Sequence, residues 1–95
     1  MQISELCKES HRISKAHGFW DGDKCVPSKL MLVVSELGEA MEDDRIGSSK
    51  IGEELGDAMI RIADLAEYLG IDLDKEIVRK MKINETRPRL HGKRY

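Results

Sequence analysis

Two heptapeptides carry the residues most suited to chemistry. Ser35-Glu36-Leu37-Gly38-Glu39-Ala40-Met41 and Glu53-Glu54-Leu55-Gly56-Asp57-Ala58-Met59 agree at five of seven positions, and a sixth exchanges Glu for Asp. Each copy spaces two carboxylates at i and i+3. On a helix such a pair shares one face and stands roughly 4.5 Å apart along the axis. In an antiparallel helical hairpin, residues equally far from the turn lie at one height. Glu36 mirrors Asp57, and Glu39 mirrors Glu54, about a point between Ile46 and Gly47. Residue types place a turn at that same point. Four carboxylates at one level repel each other and resist ionisation unless a cation neutralises them. Oxygen donors without histidine suit Mg²⁺ or Mn²⁺ better than zinc. The competing reading is two solvated acidic faces, but a mirrored repeat about a turn favours the metal. No Glu has a His three residues later, so ferritin-like di-iron chemistry is not expected. Gly38 and Gly56 each cost about 1 kcal/mol inside a helix and are expected to admit close approach of the helices or of a ligand.

The elements that must position these acids follow from the rest of the chain. Its 95 residues are 40% hydrophobic, 36% charged and only 4% aromatic. That excludes a disordered chain and disfavours a β-sandwich, and leaves one domain spanning residues 1–95. Apolar spacing outlines four helices. The first runs from about Ser4 to His17, with Ile3, Leu6, Ile13 and Ala16 on one stripe and Gly18 as its stop. The second opens at Pro27 or Ser28 and reaches about Arg45, with Leu30, Val33, Val34, Leu37 and Met41 as its apolar face. Ser48 or Ser49 is expected to cap the third, which ends near Leu69 before Gly70. That helix is apolar around much of its circumference, which implies a central position. Asp72 or Asp74 caps the fourth, which stops near Thr86 before Arg87-Pro88. No strand is evident, and the tail from Pro88 reads as irregular. The expected fold is all-α, a small bundle of about four helices. So short a chain buries a modest core, so completion by oligomerisation is also expected.

Charge is distributed unevenly beneath a net value of −2. Residues 35–57 hold eight acids against two bases, whereas residues 79–95 hold seven bases against one acid. Two balanced solvated faces would give this pattern, as would a cation site beside an anion site. A pI near 5.9 and a single Trp argue against a nucleic-acid groove. No apolar run reaches the roughly 18 residues of a membrane span. The start lacks a secretory pattern, and Cys7 and Cys25 form no CxxC pair; both point to reduced thiols in the cytoplasm. Cys7, His11, His17 and Cys25 match no standard zinc spacing. Arg61 and Asp64 share a helix face with Glu54 and Asp57, suited either to pairing across a helix interface or to touching a ligand.

The acidic repeat resembles the MazG-like nucleotide pyrophosphohydrolases of the all-α NTP pyrophosphatase superfamily. Their EExxE, spacer, ExxD pattern is matched by Ser35-Glu36-x-x-Glu39 and Glu54-x-x-Asp57. Ser35 stands where the family has its first Glu, while the matched ligand positions Glu36 and Glu39 are kept. Gly70-Ile71-Asp72-Leu73, Lys80, Asn84, Arg87 and Gly92-Lys93-x-Tyr95 look like the family's closing helix and tail, so the resemblance covers about residues 17–95. It implies Mg²⁺-dependent cleavage of nucleoside triphosphates to monophosphate and pyrophosphate, by a homodimer or homotetramer. Glu36, Glu39, Glu54 and Asp57 would then bind one or two Mg²⁺ ions and activate water for in-line attack at phosphorus. Lys80, Asn84 and Arg87 share a face of the fourth helix, read either as offsetting polyphosphate charge or as a solvated face. Lys93 joins them as a substrate-binding candidate through the tail motif. Trp20 resembles the family's base-stacking residue, and equally suits a plug, with Phe19, at one end of the bundle. His11 is placed at a base edge or at the surface, and Glu53 as an accessory base or plain surface. Phosphoribosyl-ATP or dUTP are alternative substrates within the group. A non-enzymatic helical interaction module is the alternative from another class.

Overall fold

The computed structural model describes residues 1–22 and 24–95. Helix α1 (Ile3–Ala16) ends where Gly18 takes a left-handed φ of +84°. Helix α2 (Val26–Arg45) has Pro27 in its first turn, where the missing N–H costs nothing. Gly47, at φ +72°, then reverses the chain. Helix α3 (Ile51–Tyr68) starts later than the serines suggested: Ser48 Oγ accepts from the Lys50 N–H at 3.2 Å and so shapes the turn without capping the helix. Glu53 and Glu54 in its first turn favour the positive end of the helix dipole. Asp72 caps helix α4 (Leu73–Glu85) as expected, its Oδ1 accepting from the Lys75 N–H at 3.1 Å. The tail holds a short 3₁₀ turn over Arg89–Gly92. The protein is thus all-helical with four α-helices, and no strand occurs among the described residues. Among the described residues no helix is long and apolar enough to cross a membrane.

The short 46–50 connection makes α2 and α3 a packed antiparallel hairpin, and α1 lies across α3. Helix α3 is therefore central, as its apolar circumference implied. Helix α4 touches the rest lightly, mainly at α1. The core is small: Cys7, Ala63 and Ala66, with Ile3, Leu6 and Leu73 packed around them. Burial, then the nearby charges of Glu67 and Asp72, push the Cys7 thiol up, which suits a neutral core residue and not a metal thiolate.

The apolar face expected to bind α2 into the core points elsewhere. Leu30, Val34, Leu37 and Met41, spaced at i, i+4, i+7 and i+11, are all exposed, Met41 by 62%. Toward α3 the helix turns Val33, Glu36, Ala40 and Asp43. Gly38 and Gly56 do not bring the two helices together either: an added Cβ at each would meet nothing within 4 Å. Both glycines sit on exposed helix surface, beside exposed Leu37 and Leu55. Across α3, Ile51, Leu55, Met59 and Ile62 are exposed as well.

The dimensions carry the mark of that uncovered surface. The radius of gyration is 15.6 Å, against about 12 Å for a compact chain of this length. The accessible surface is 7361 Å², roughly 1,800 Å² above the scaling for a monomer of this mass. That excess matches the area a stable self-association removes. We expect the protein to sediment as a dimer or larger. Leu37→Glu combined with Met41→Glu should shift it to monomer with a lower Tm; a wild-type monomer at micromolar concentration in analytical ultracentrifugation would contradict this.

Candidate metal centre and adjoining groove

Helical spacing explains how the acids meet. Glu36 and Asp43 lie seven residues apart on the α3-facing side of α2, and Glu54 and Asp57 lie on α3 with Arg61 and Asp64 continuing the same face. Facing turns of the hairpin then bring Glu36, Glu54 and Asp57 together, with one oxygen from each within 4.8 Å of the others. The mirror symmetry about the turn therefore predicts the Glu36–Asp57 level correctly. Glu39, the fourth expected ligand, is exposed and stands beside Glu54 instead of within that triad. Two carboxylate oxygens here, Glu54 Oε2 and Asp43 Oδ2, are inaccessible to solvent and have no hydrogen-bond partner among the described residues.

Charge crowding divides the protonation of the site. Glu36 is buried, 7% exposed, and its Oε1 accepts from Arg61 Nε at 2.8 Å. That hydrogen bond holds the Glu36 carboxyl below its usual range, against the opposing effect of burial. Glu54 moves the other way, to about 7. Hydrogen bonding with Glu39 is the main cause, followed by desolvation and the negative charges of Glu39, Asp43 and Asp57. An all-oxygen donor set with orphaned lone pairs and a carboxyl driven to retain its proton fits a hard divalent cation, which would satisfy the one and displace the other.

A groove of about 520 Å³ opens beside the acids, with Glu36, Asp57, Arg61 and Asp64 along one side. Leu6, Ile13, Ile60 and Phe19 supply apolar wall, and Ser10, Ser14 and His17 supply polar groups from α1 and its end. Its volume falls in the range of small-molecule sites. Phe19 also lies under the Arg61 guanidinium, 5.9 Å from ring centre to Cζ.

The aromatic candidate Trp20 is placed in a separate cluster. It is 6% exposed, stacked on Tyr68 with centroids 4.2 Å apart, and its indole N–H donates to Asp64 Oδ1 at 2.9 Å. His11 Nδ1 donates to the same oxygen at 2.7 Å and meets the indole edge-on. Lys29 Nζ lies 4.4 Å over the indole. Thus Arg61 and Asp64 do not pair with each other; each ties α3 to a different neighbour. Lys80, Asn84, Arg87 and Lys93 are exposed and none lines the groove; Arg87 instead bonds His91 at 3.2 Å. Glu53 is exposed on α3.

Sequence reasoning missed three contributors: Asp43, the α1 wall and Phe19. Asp43 was within reach, since it continues the i, i+3, i+7 line of Glu36 and Glu39. The α1 wall was not, because nothing local sets how α1 crosses α3. Searches against known protein families, curated proteins and solved structures find no match to this chain.

The raised Glu54 value has a thermodynamic consequence. In the unfolded chain this carboxyl ionises near 4.5, so folding favours its protonated form. That contribution is complete below about pH 4.5 and is lost as pH rises through about 7. Cation-free protein should therefore lose Tm between about pH 5 and about pH 8. Saturating Mg²⁺ should abolish the decline, and Glu54→Gln should flatten it without metal. Differential scanning calorimetry across that range checks this, and an undiminished slope in Glu54→Gln would refute the assignment.

Proposed function

We propose that this protein is a Mg²⁺-dependent nucleotide pyrophosphohydrolase that converts (deoxy)nucleoside triphosphates and water into nucleoside monophosphates and pyrophosphate. The observation that carries this reading is the meeting of Glu36, Glu54 and Asp57 oxygens, mutually within 4.8 Å, with Glu36 and Asp57 also lining a nucleoside-sized groove. The resemblance of the Glu36-x-x-Glu39 and Glu54-x-x-Asp57 repeat to the MazG-like set supports the same chemistry.

Glu36, Glu54 and Asp57 hold the cation, with Glu39 against Glu54 as the fourth carboxylate. When bound, Mg²⁺ (or Mn²⁺) supplies a water of lowered pKa and charge stabilisation at the phosphate oxygens. The chain's own groups do the rest. Ile13, Ile60 and Phe19 give the base an apolar wall, while Ser10, Ser14 and His17 offer hydrogen bonds to its edge or to the sugar. With the base against this apolar wall, the triphosphate tail would extend toward Glu36, Asp57 and Arg61 along the other side of the groove. Helix α4 packs on α1 of its own chain, so we assign Lys80, Asn84, Arg87 and Lys93 to polyphosphate binding from a second protomer. The exposed α2 stripe supplies the surface for such a homodimer or homotetramer, and two reduced thiols suit an enzyme of the cytoplasm.

The exposed stripe also favours one second reading, a helical interaction module without catalysis. A panel of nucleoside triphosphates assayed with Mg²⁺ for pyrophosphate against orthophosphate separates the two. It also ranks dUTP and phosphoribosyl-ATP against the common substrates. Pyrophosphate release is expected for at least one nucleotide, and Glu54→Gln or Asp57→Asn should lower kcat/KM roughly 10²-fold or more. No release from any nucleotide, with no thermal stabilisation by Mg²⁺ plus nucleotide, would establish the module instead.

A further inference from the structure

The geometry points to Arg61 as a dual-purpose cation: it neutralises Glu36 in the metal-free site and becomes a phosphate-binding residue once a divalent cation is present. This rests on the pyrophosphohydrolase reading and adds a substrate contact to it. Three observations converge on the residue. Its Nε–H donates to Glu36 Oε1 at 2.8 Å, making Arg61 the only base bonded to the acids of the triad among the described residues. Its side chain is 31% exposed, whereas that of Glu36 is 10% exposed. It also belongs to the groove lining together with Glu36 and Asp57. The guanidinium therefore stands at the boundary between the carboxylates and the space for the ligand, and among the described residues its terminal nitrogens have no hydrogen-bond partner. Phe19 lies beside it at 5.9 Å, within the range of a cation–π contact.

A guanidinium has five donors in a planar fork, and only one is used on Glu36. The remaining donors match the oxygens of a phosphate that also approaches the metal. Two cations beside one carboxylate repel each other, so Arg61 opposes metal binding when no polyphosphate is present. A polyphosphate reverses the sign, because its oxygens accept from Arg61 and bridge the two positive charges. A guanidinium serving only to clamp α2 onto α3 would show the first effect without the second.

That change of sign sets the experiment. Mn²⁺ binding to the full-length protein at pH 8 is measured by isothermal titration calorimetry without nucleotide. Inorganic pyrophosphate binding is then measured at saturating Mg²⁺. Arg61→Gln should bind Mn²⁺ roughly three- to tenfold more tightly than wild type. The same variant should bind pyrophosphate about tenfold more weakly. Arg61→Lys keeps the charge without the fork, so its Mn²⁺ affinity should stay within about twofold of wild type while pyrophosphate binding recovers only in part. Unchanged or weaker Mn²⁺ binding in a folded Arg61→Gln protein would overturn the proposal, and pyrophosphate binding equal to wild type would overturn it and leave a structural clamp. The proposal is equally overturned if Arg61→Gln fails to fold and Arg61→Lys binds pyrophosphate as wild type does. Wild-type protein that binds no Mn²⁺ would reject the metal reading itself, a separate and recognisable failure.

Discussion

Repulsion among carboxylates packed between α2 and α3 is the constraint to which the rest of this structure answers. Most helix pairs bury apolar side chains against each other. Here the shared face holds Glu36, Asp43, Glu54 and Asp57, with only small residues such as Ala40 and Ala58 between them. Three devices keep such a face together without metal. Arg61 neutralises Glu36, Glu54 retains a proton up to about pH 7, and the neighbouring Glu39 favours that protonated form. All three leave the site less than satisfied, since two carboxylate oxygens remain buried and unpartnered. Crowded carboxylates with unpartnered oxygens are what a divalent cation would satisfy.

Giving that face to acids forces the apolar residues elsewhere. Every α-helix has one circumference, and on α2 the core-facing part is occupied by Glu36 and Asp43. Leu30, Val34, Leu37 and Met41 are left outward, as are several large side chains of α3. The expanded radius and the excess surface are consequences of the same trade. In this sense the acidic interface and the uncovered apolar surface share one cause, because a chain that gives its internal interface to carboxylates leaves its large apolar side chains outside.

Helix α1 links the two regions. One part of its surface, with Cys7 and Ser10, packs against α3. Its neighbouring residues form the groove wall beside the acids. Its orientation is secured by the Asp64 carboxylate, which gathers His11 from α1 and Trp20 from the following loop onto one oxygen. Tyr68 stacks on that indole from the end of α3. The crossing of α1 and α3 beside the groove is thus tied both by this polar and aromatic cluster and by the small core at Cys7, Ala63 and Ala66.

The four helices, the turn at Gly47, the Asp72 cap and the level pairing of Glu36 with Asp57 were all legible in the linear chain. Each depends on local rules: the 3.6-residue period, capping chemistry, and the equal heights of residues equidistant from a hairpin turn. The identity of the interface could not be read the same way. Apolar periodicity on α2 marked a face that wants burial without saying whether its cover lies in the same chain. Nor could spacing decide that Arg61 reaches Glu36 while Asp64 reaches Trp20, or that Phe19 and not its neighbour meets the groove. Those outcomes depend on how α1 and α3 cross and on how the loop between α1 and α2 returns, contacts that span tens of residues. The chain by itself determined which residues share a helix face; only the tertiary structure decided what each face meets, because burial and pairing are properties of facing surfaces and not of one helix alone.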